Sequence, residues 1–78
     1  MKIIYARQAA SYIGRMDPNT KNRVMDAIRN IPAGDIKPLR GYADGRQRLR
    51  VGKYRVVFKY AGESLQVLAV GSRGDIYK

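Results

Sequence analysis

From Arg46 to Tyr60 the chain alternates basic and apolar residues on both sides of a Gly52-Lys53 pair: R-Q-R-L-R-V, then Y-R-V-V-F-K-Y. A period of two marks a strand whose two faces meet different surroundings. Glycine in the first place of a two-residue loop marks a type II′ hairpin turn. This predicts a hairpin in which Val51 pairs with Tyr54, Arg50 with Arg55, Leu49 with Val56, Arg48 with Val57 and Arg46 with Lys59. One face then carries Leu49, Val51, Tyr54, Val56, Phe58 and Tyr60. The other carries Arg46, Arg48, Arg50, Arg55, Lys59 and the lone apolar Val57.

The rest of the chain has to cover the apolar face. Residues 2–6, KIIYA, are β-branched and aromatic and predict a first strand. Ala9, Tyr12, Ile13 and Met16 recur at helical spacing. Asp17-Pro18 is a helix start, with Asp as cap and Pro in the first turn. Behind it Val24, Ala27, Ile28 and Ile31 form an apolar stripe that Pro32 ends, so the two segments predict an antiparallel helical hairpin. Residues 32–45, rich in Pro and Gly, read as a connection pinned to the core by Ile36 and Leu39. Strands are expected over residues 46–51, 54–60 and 65–70. A second tight turn at Gly62-Glu63 would pair Phe58 with Val67 and Val57 with Leu68. Leu65, Val67 and Ala69 would then lie under the helices, and Gln66, Leu68 and Val70 on the basic face. The order β-α-α-β-β-β, with no helix between the last strands, predicts an α+β fold: an N-terminal strand, a two-helix hairpin and a three-strand antiparallel meander. At 78 residues the chain is expected to be a single domain, 1–78.

Opposed like charges destabilise a sheet, and the hairpin contains two such pairs, Arg50/Arg55 and Arg46/Lys59. A solvated face that only protects the sheet from aggregation would use lysine mixed with glutamate. Arginine predominates here, and its planar fork suits phosphate. The whole chain has 16 Lys and Arg against 6 Asp and Glu, a net charge of +10. Such a balance points to nucleic acid first, an acidic protein second and an anionic membrane last. Membrane binding is disfavoured, because no helix combines a strong apolar face with a basic one and no apolar run approaches ~18 residues. The apolar stretch at the N-terminus is too short for a signal peptide, so a cytoplasmic location is expected. With neither Cys nor His in the chain, no disulfide can form and a zinc site is disfavoured.

The C-terminal stretch adds Arg73, between Gly71 and Gly74, and Tyr77. Alternation along the last strand puts Arg73 on the apolar side, so a bulge or turn at Gly71 or Gly74 has to re-aim it. Tyr77 reads equally as an ordinary interfacial tyrosine or as a functional one.

The run IKPLRG leading into RQRLRVGKYRVVFKY, then LQVLAVGSRGDIYK, resembles the RelE/ParE superfamily of bacterial type II toxin–antitoxin toxins. The pattern of that superfamily is PL-(K/R)-G, then (Y/W)-R-(L/I)-R-V-G-(D/E/K)-Y-R, then VGHR and a tyrosine four residues after its arginine. The match runs from Ile36 to the last residue. The resemblance implies a RelE-like messenger-RNA interferase that cuts mRNA in the ribosomal A site. No metal or other cofactor is implied: the substrate 2′-OH attacks the adjacent phosphate and leaves a cyclic phosphate and a free 5′-OH. Carried over by motif, the site residues are Arg46, Arg48, Arg55, Arg73 and Tyr77; Arg48, Arg55, Arg73 and Tyr77 are expected to be catalytic, and Arg46, with the neighbouring Arg50, Lys53 and Lys59, to contact RNA phosphates. In such a site guanidinium groups would hold the phosphate charge. A tyrosine crowded by them would have a lowered pKa suited to a base, and Arg73 would donate to the leaving oxygen. The resemblance also implies an acidic antitoxin partner, docked on the basic face or added as a strand at the sheet edge.

Two departures from the pattern stand out. Some members have lysine where Arg46 and Arg48 stand, and VGHR is VGSR here, with Ser72 in place of a possible acid–base histidine. Two other functions stay open on sequence: a ParE-like inhibitor of DNA gyrase, and a homologue that grips RNA without cutting it.

Overall fold

The structure, a computed structural model, describes residues 2–72. Arg73 and Tyr77 lie outside the described residues. The elements are β1 (Lys2–Tyr5), α1 (Arg7–Gly14), α2 (Pro18–Arg29), β2 (Asp35–Pro38), β3 (Gln47–Val51), β4 (Tyr54–Ala61) and β5 (Ser64–Gly71). The strands form one five-stranded sheet in the order β1-β5-β4-β3-β2, with α1 packed across β5 and α2 across β3.

The central hairpin has the expected register: Val51 opposite Tyr54, Arg50 opposite Arg55, Leu49 opposite Val56 and Arg48 opposite Val57. Gly52 turns it at φ +60°, and Lys53 keeps a negative φ, as a II′ turn requires. Gly62, also at φ +60°, turns β4 into β5. Helix α2 starts where expected. Asp17 caps it by accepting from the Thr20 backbone N–H at 3.1 Å and the Thr20 hydroxyl at 2.7 Å, with Pro18 in the first turn. The core between helices and sheet is built from Ala9, Ile13, Val24 and Ile28 above and Leu49, Val51, Val56, Phe58, Leu65, Val67 and Val70 below. No helix of the described residues is long and apolar enough to cross a membrane.

The sheet departs from the expected antiparallel meander in two ways. Strand β1 joins it parallel to β5, with Ile3 beside Leu65 and Tyr5 beside Val67. The segment expected to be a plain connection supplies β2, paired antiparallel with β3 through Ile36 opposite Leu49. Ile36 packs on the core as expected. Half-buried Leu39 extends the pairing by donating its N–H to the Arg46 carbonyl at 3.1 Å. β2 is short and ends in Pro38, whose missing N–H an edge strand tolerates because no further strand needs a donor there.

The β4–β5 register holds from Ala61/Ser64 to Phe58/Val67 and then slips, so that Val57 faces Ala69, Val56 faces Val70 and Arg55 faces Gly71. Leu68 is the extra residue of this bulge. The expected pairing of Val57 with Leu68 and the expected faces of Ala69 and Val70 are therefore corrected. Val70 is fully buried in the core, and Ala69 shares the basic face with Val57. An alternation rule cannot see a bulge, because Leu68, Ala69 and Val70 are all apolar and either parity looks acceptable. The re-aiming of Arg73 expected at Gly71 or Gly74 involves Arg73 and Gly74, which lie outside the described residues.

Just past the end of β1, the Gln8 carboxamide acts as a short extra strand. It donates to the Val70 carbonyl and accepts from the Val70 N–H, both at 2.9 Å. These bonds seal the edge of β5 downstream of the bulge. Gln8→Ala leaves both backbone groups without these partners and is expected to cost about 1–3 kcal/mol in urea unfolding. It should also accelerate exchange of the Val70 amide proton while leaving the Leu49 amide protected.

Candidate functional site: a basic sheet face

Because side chains alternate, burying Leu49, Val51, Val56 and Phe58 under the helices turns Arg48, Arg50, Arg55, Val57 and Lys59 to the opposite face. Strand β2 adds Asp35, opposite Arg50, and Lys37, opposite Arg48. On the other flank β5 contributes Gln66 opposite Lys59, Ala69 opposite Val57 and Gly71 opposite Arg55. Gly71 has no side chain, so nothing on β5 stands beside Arg55 at that level. The apolar residues of this face include Val57, Ala69 and, on β1, Ile4. They do not include Val70, which was expected there.

Arg48 lies in the middle and is only 8% exposed. Its Nη1 is enclosed without a hydrogen-bond partner, and the nearest carboxylate oxygen among the described residues, Asp35 Oδ1, is 3.7 Å away. That distance allows Coulomb attraction but is beyond hydrogen-bond reach. A guanidinium so enclosed and so poorly paired destabilises the fold relative to an apolar residue of similar size.

Arg50 and Arg55 stand directly opposite each other, Arg50 exposed and Arg55 half-buried. Asp35 on the outer side of Arg50 is the acidic neighbour that offsets part of their repulsion.

The other expected like-charge pair, Arg46 with Lys59, is bridged by a carboxylate. Asp44 receives Arg46 Nε at 3.1 Å and Arg46 Nη2 at 2.8 Å, and Lys59 Nζ at 3.4 Å. The Arg46 guanidinium also stacks over the Tyr42 ring, 4.2 Å from its centre. Asp44 and Tyr42 were absent from the sequence reading. The signal for Asp44 was Asp44-Gly45 before a basic residue: its carboxylate also accepts the Arg46 backbone N–H, at 3.3 Å, an Asx-turn.

Lys53 does not join the group. Its ammonium lies 5.4 Å from the centre of the Tyr54 ring, and Tyr54 packs on the helix side of the sheet. The structure therefore brings Arg46, Arg48, Arg50, Arg55 and Lys59 to one face and leaves Lys53 at its edge.

Hydrogen bonding from Arg46 holds the Asp44 carboxyl well below the usual carboxylate range; desolvation opposes this, and Lys59 lowers it further. A folded-state value below the unfolded one makes the clamp's contribution to stability fully present above the unfolded pKa of about 3.9 and lost as pH falls through the folded value. The stability difference between the parent and Asp44→Asn is thus expected to be constant from pH 7 to about 5 and to shrink below about 4. Urea unfolding across that range measures it, and a difference that grows on acidification would contradict the clamp.

Neither protein-family models nor curated protein sequences give a match to the chain. Solved structures do. The RelB–RelE antitoxin–toxin complex from Methanococcus jannaschii superposes with a TM-score of 0.74 at 23% identity, over 95% of this chain and 94% of that one. The YoeB/ParE toxin from Agrobacterium tumefaciens gives 0.76 at 24%, over 94% and 99%. A toxin–antitoxin complex from Mycobacterium tuberculosis gives 0.75 at 22%, over 95% and 92%. In all three the likeness runs through both helices and the sheet at nearly full length, and it establishes that this chain has the fold of the RelE/ParE toxins.

Proposed function

We propose that the protein is the toxin of a type II toxin–antitoxin system and acts as a ribosome-dependent mRNA endonuclease. The observation that carries this reading is Arg48. A domain of this size has little stability to spare, yet it keeps an enclosed, poorly paired guanidinium among Arg50, Arg55 and Lys59. Charge kept at such a cost is characteristic of functional sites.

The reaction is an internal transfer. The 2′-oxygen attacks the neighbouring phosphorus and loses its proton to a base, and the P–O5′ bond breaks as its oxygen gains a proton. The products are a 2′,3′-cyclic phosphate and a free 5′-OH. The nucleophile belongs to the RNA, so the protein has to orient the strand, stabilise charge on the phosphorane and move two protons. Arg55, opposite Gly71 on β5, is the group we assign to the scissile phosphate. Arg48 acts from behind it as a fixed positive charge that the RNA need not touch. Arg50, Arg46 and Lys59 take flanking phosphates, and Lys53 a more remote one. Tyr77 as base and Arg73 as donor to the leaving oxygen complete the assignment from the sequence motif. An acidic antitoxin would neutralise the toxin, as the antitoxins in the archaeal and mycobacterial complexes suggest.

Purified protein added to translating ribosomes should give discrete cuts in the bound message, read by primer extension. Tyr77→Phe should lower cutting by ~10²–10⁴-fold with RNA binding unchanged; cutting at the parent rate would remove Tyr77 from the mechanism. Intact transcripts together with gyrase trapped on DNA would replace this reading with gyrase inhibition.

Arg48→Met separates function from stability. The swap fills a similar volume without charge, so the melting temperature is expected to hold or to rise by about 4–8 °C. Cutting should fall by ~10²-fold or more. A variant that melts much lower would show that Arg48 serves the fold.

A further inference from the structure

The Asp44 bridge deepens that reading and rests on it. The Asp44 carboxylate sits between two cations of the basic face and takes from Arg46 the Nε–Nη2 edge, at 3.1 and 2.8 Å, the edge through which arginine also grips a phosphate in a two-point fork. Lys59 approaches the same oxygen, Oδ2, that Nη2 holds. The trio is superficial: the side chains of Asp44, Arg46 and Lys59 are 31%, 29% and 27% exposed. Such pairs are weak in water and screened by salt. The stack on Tyr42 holds the Arg46 guanidinium independently of Asp44, so the fork keeps its aim when its anion changes.

We propose that Asp44 is a tethered stand-in for phosphate, and that RNA docks on the Arg46–Lys59 subsite by displacing its carboxylate. The consequence is a filter. An isolated small anion competes poorly with a carboxylate held at high local concentration by its own backbone. A polynucleotide also engages Arg50 and Arg55, and the sum of those contacts carries the exchange. Asp44 therefore lowers affinity for every RNA and lowers it most for short, weakly held ones.

The test uses Asp44→Asn, which keeps a side-chain acceptor for the Asx-turn and removes only the charge. The control for added net charge is Asp26→Asn. Asp26 lies on α2, on the other side of the sheet, where it pairs with Arg29 at 2.6 Å. Affinity for a single-stranded oligoribonucleotide is measured against salt concentration. Asp44→Asn should bind about three- to tenfold more tightly than Asp26→Asn near 0.1 M salt, with a salt slope steeper by ~0.7–1.4, the release of one or two more counterions. In the Asp44→Asn background, removing Arg46 and Lys59 together should cancel the gain.

Asp44→Asn binding no tighter than Asp26→Asn, with an unchanged slope, would overturn the proposal and make Asp44 a group that merely positions the cations. A second arm needs no RNA. Millimolar inorganic pyrophosphate should shift the Arg46 Nε–H resonance in Asp44→Asn and leave it in place in the parent; equal responses would overturn the exchange. If no form of the protein binds RNA at any salt concentration, the nuclease reading fails and the pyrophosphate arm still decides the role of Asp44.

Discussion

The register of the β3–β4 hairpin governs the rest of the molecule. Strand side chains alternate, so a slip of one residue would send Leu49, Val51, Val56 and Phe58 to solvent and the arginines into the core. The apolar set is almost completely enclosed beneath α1 and α2, and no other register permits that. The basic face is the necessary complement of the core: the packing that stabilises the domain also concentrates its positive charge on the helix-free side.

That concentration is managed in different ways along the hairpin. Near the turn, Arg50 and Arg55 face each other, with Asp35 beyond Arg50. In the middle, Arg48 is enclosed between Val57 and β2 and lacks a hydrogen bond at Nη1. At the far end, Asp44 ties Arg46 to Lys59. Among the described residues, repulsion is thus most relieved away from the turn and least relieved where Arg55 adjoins Gly71. The part of the face with the least compensation is the part to which the chemistry is assigned, an arrangement that follows when stability is given up locally for anion binding.

The hairpin, its II′ turn and the Asp17 cap were legible in the sequence because each depends on neighbours only a few residues apart. Asp17 needs Thr20 and Pro18; Gly52 needs only its own positive φ. What escaped the sequence depends on distant partners. β2 has no pattern of its own and exists because β3 offers it an edge. The parallel placement of β1 depends on β5, more than sixty positions away. The bulge at Leu68 lies in an all-apolar run where either parity satisfies local chemistry, and Gln8, which holds β5 beyond it, is an ordinary exposed polar residue in the sequence. For the site, alternation identified which cations share a face, but not that a carboxylate sits among them. Asp44 looked like a loop residue, and its reach to Lys59 is a tertiary fact. Lys53, in the turn, belongs to neither face, and alternation has nothing to say about it.

The central claim is that RNA lies along the helix-free face of this sheet. Its most direct measurement is an amide chemical-shift titration with a 2′-O-methylated oligoribonucleotide, which binds as RNA does and cannot be cut. The account predicts shifts concentrated at Arg46–Arg50, Arg55–Lys59 and the Asp35 strand, fading as salt is raised, with α1 and α2 unmoved. Shifts centred on the outer surfaces of the two helices, with the arginine strands silent, would contradict it.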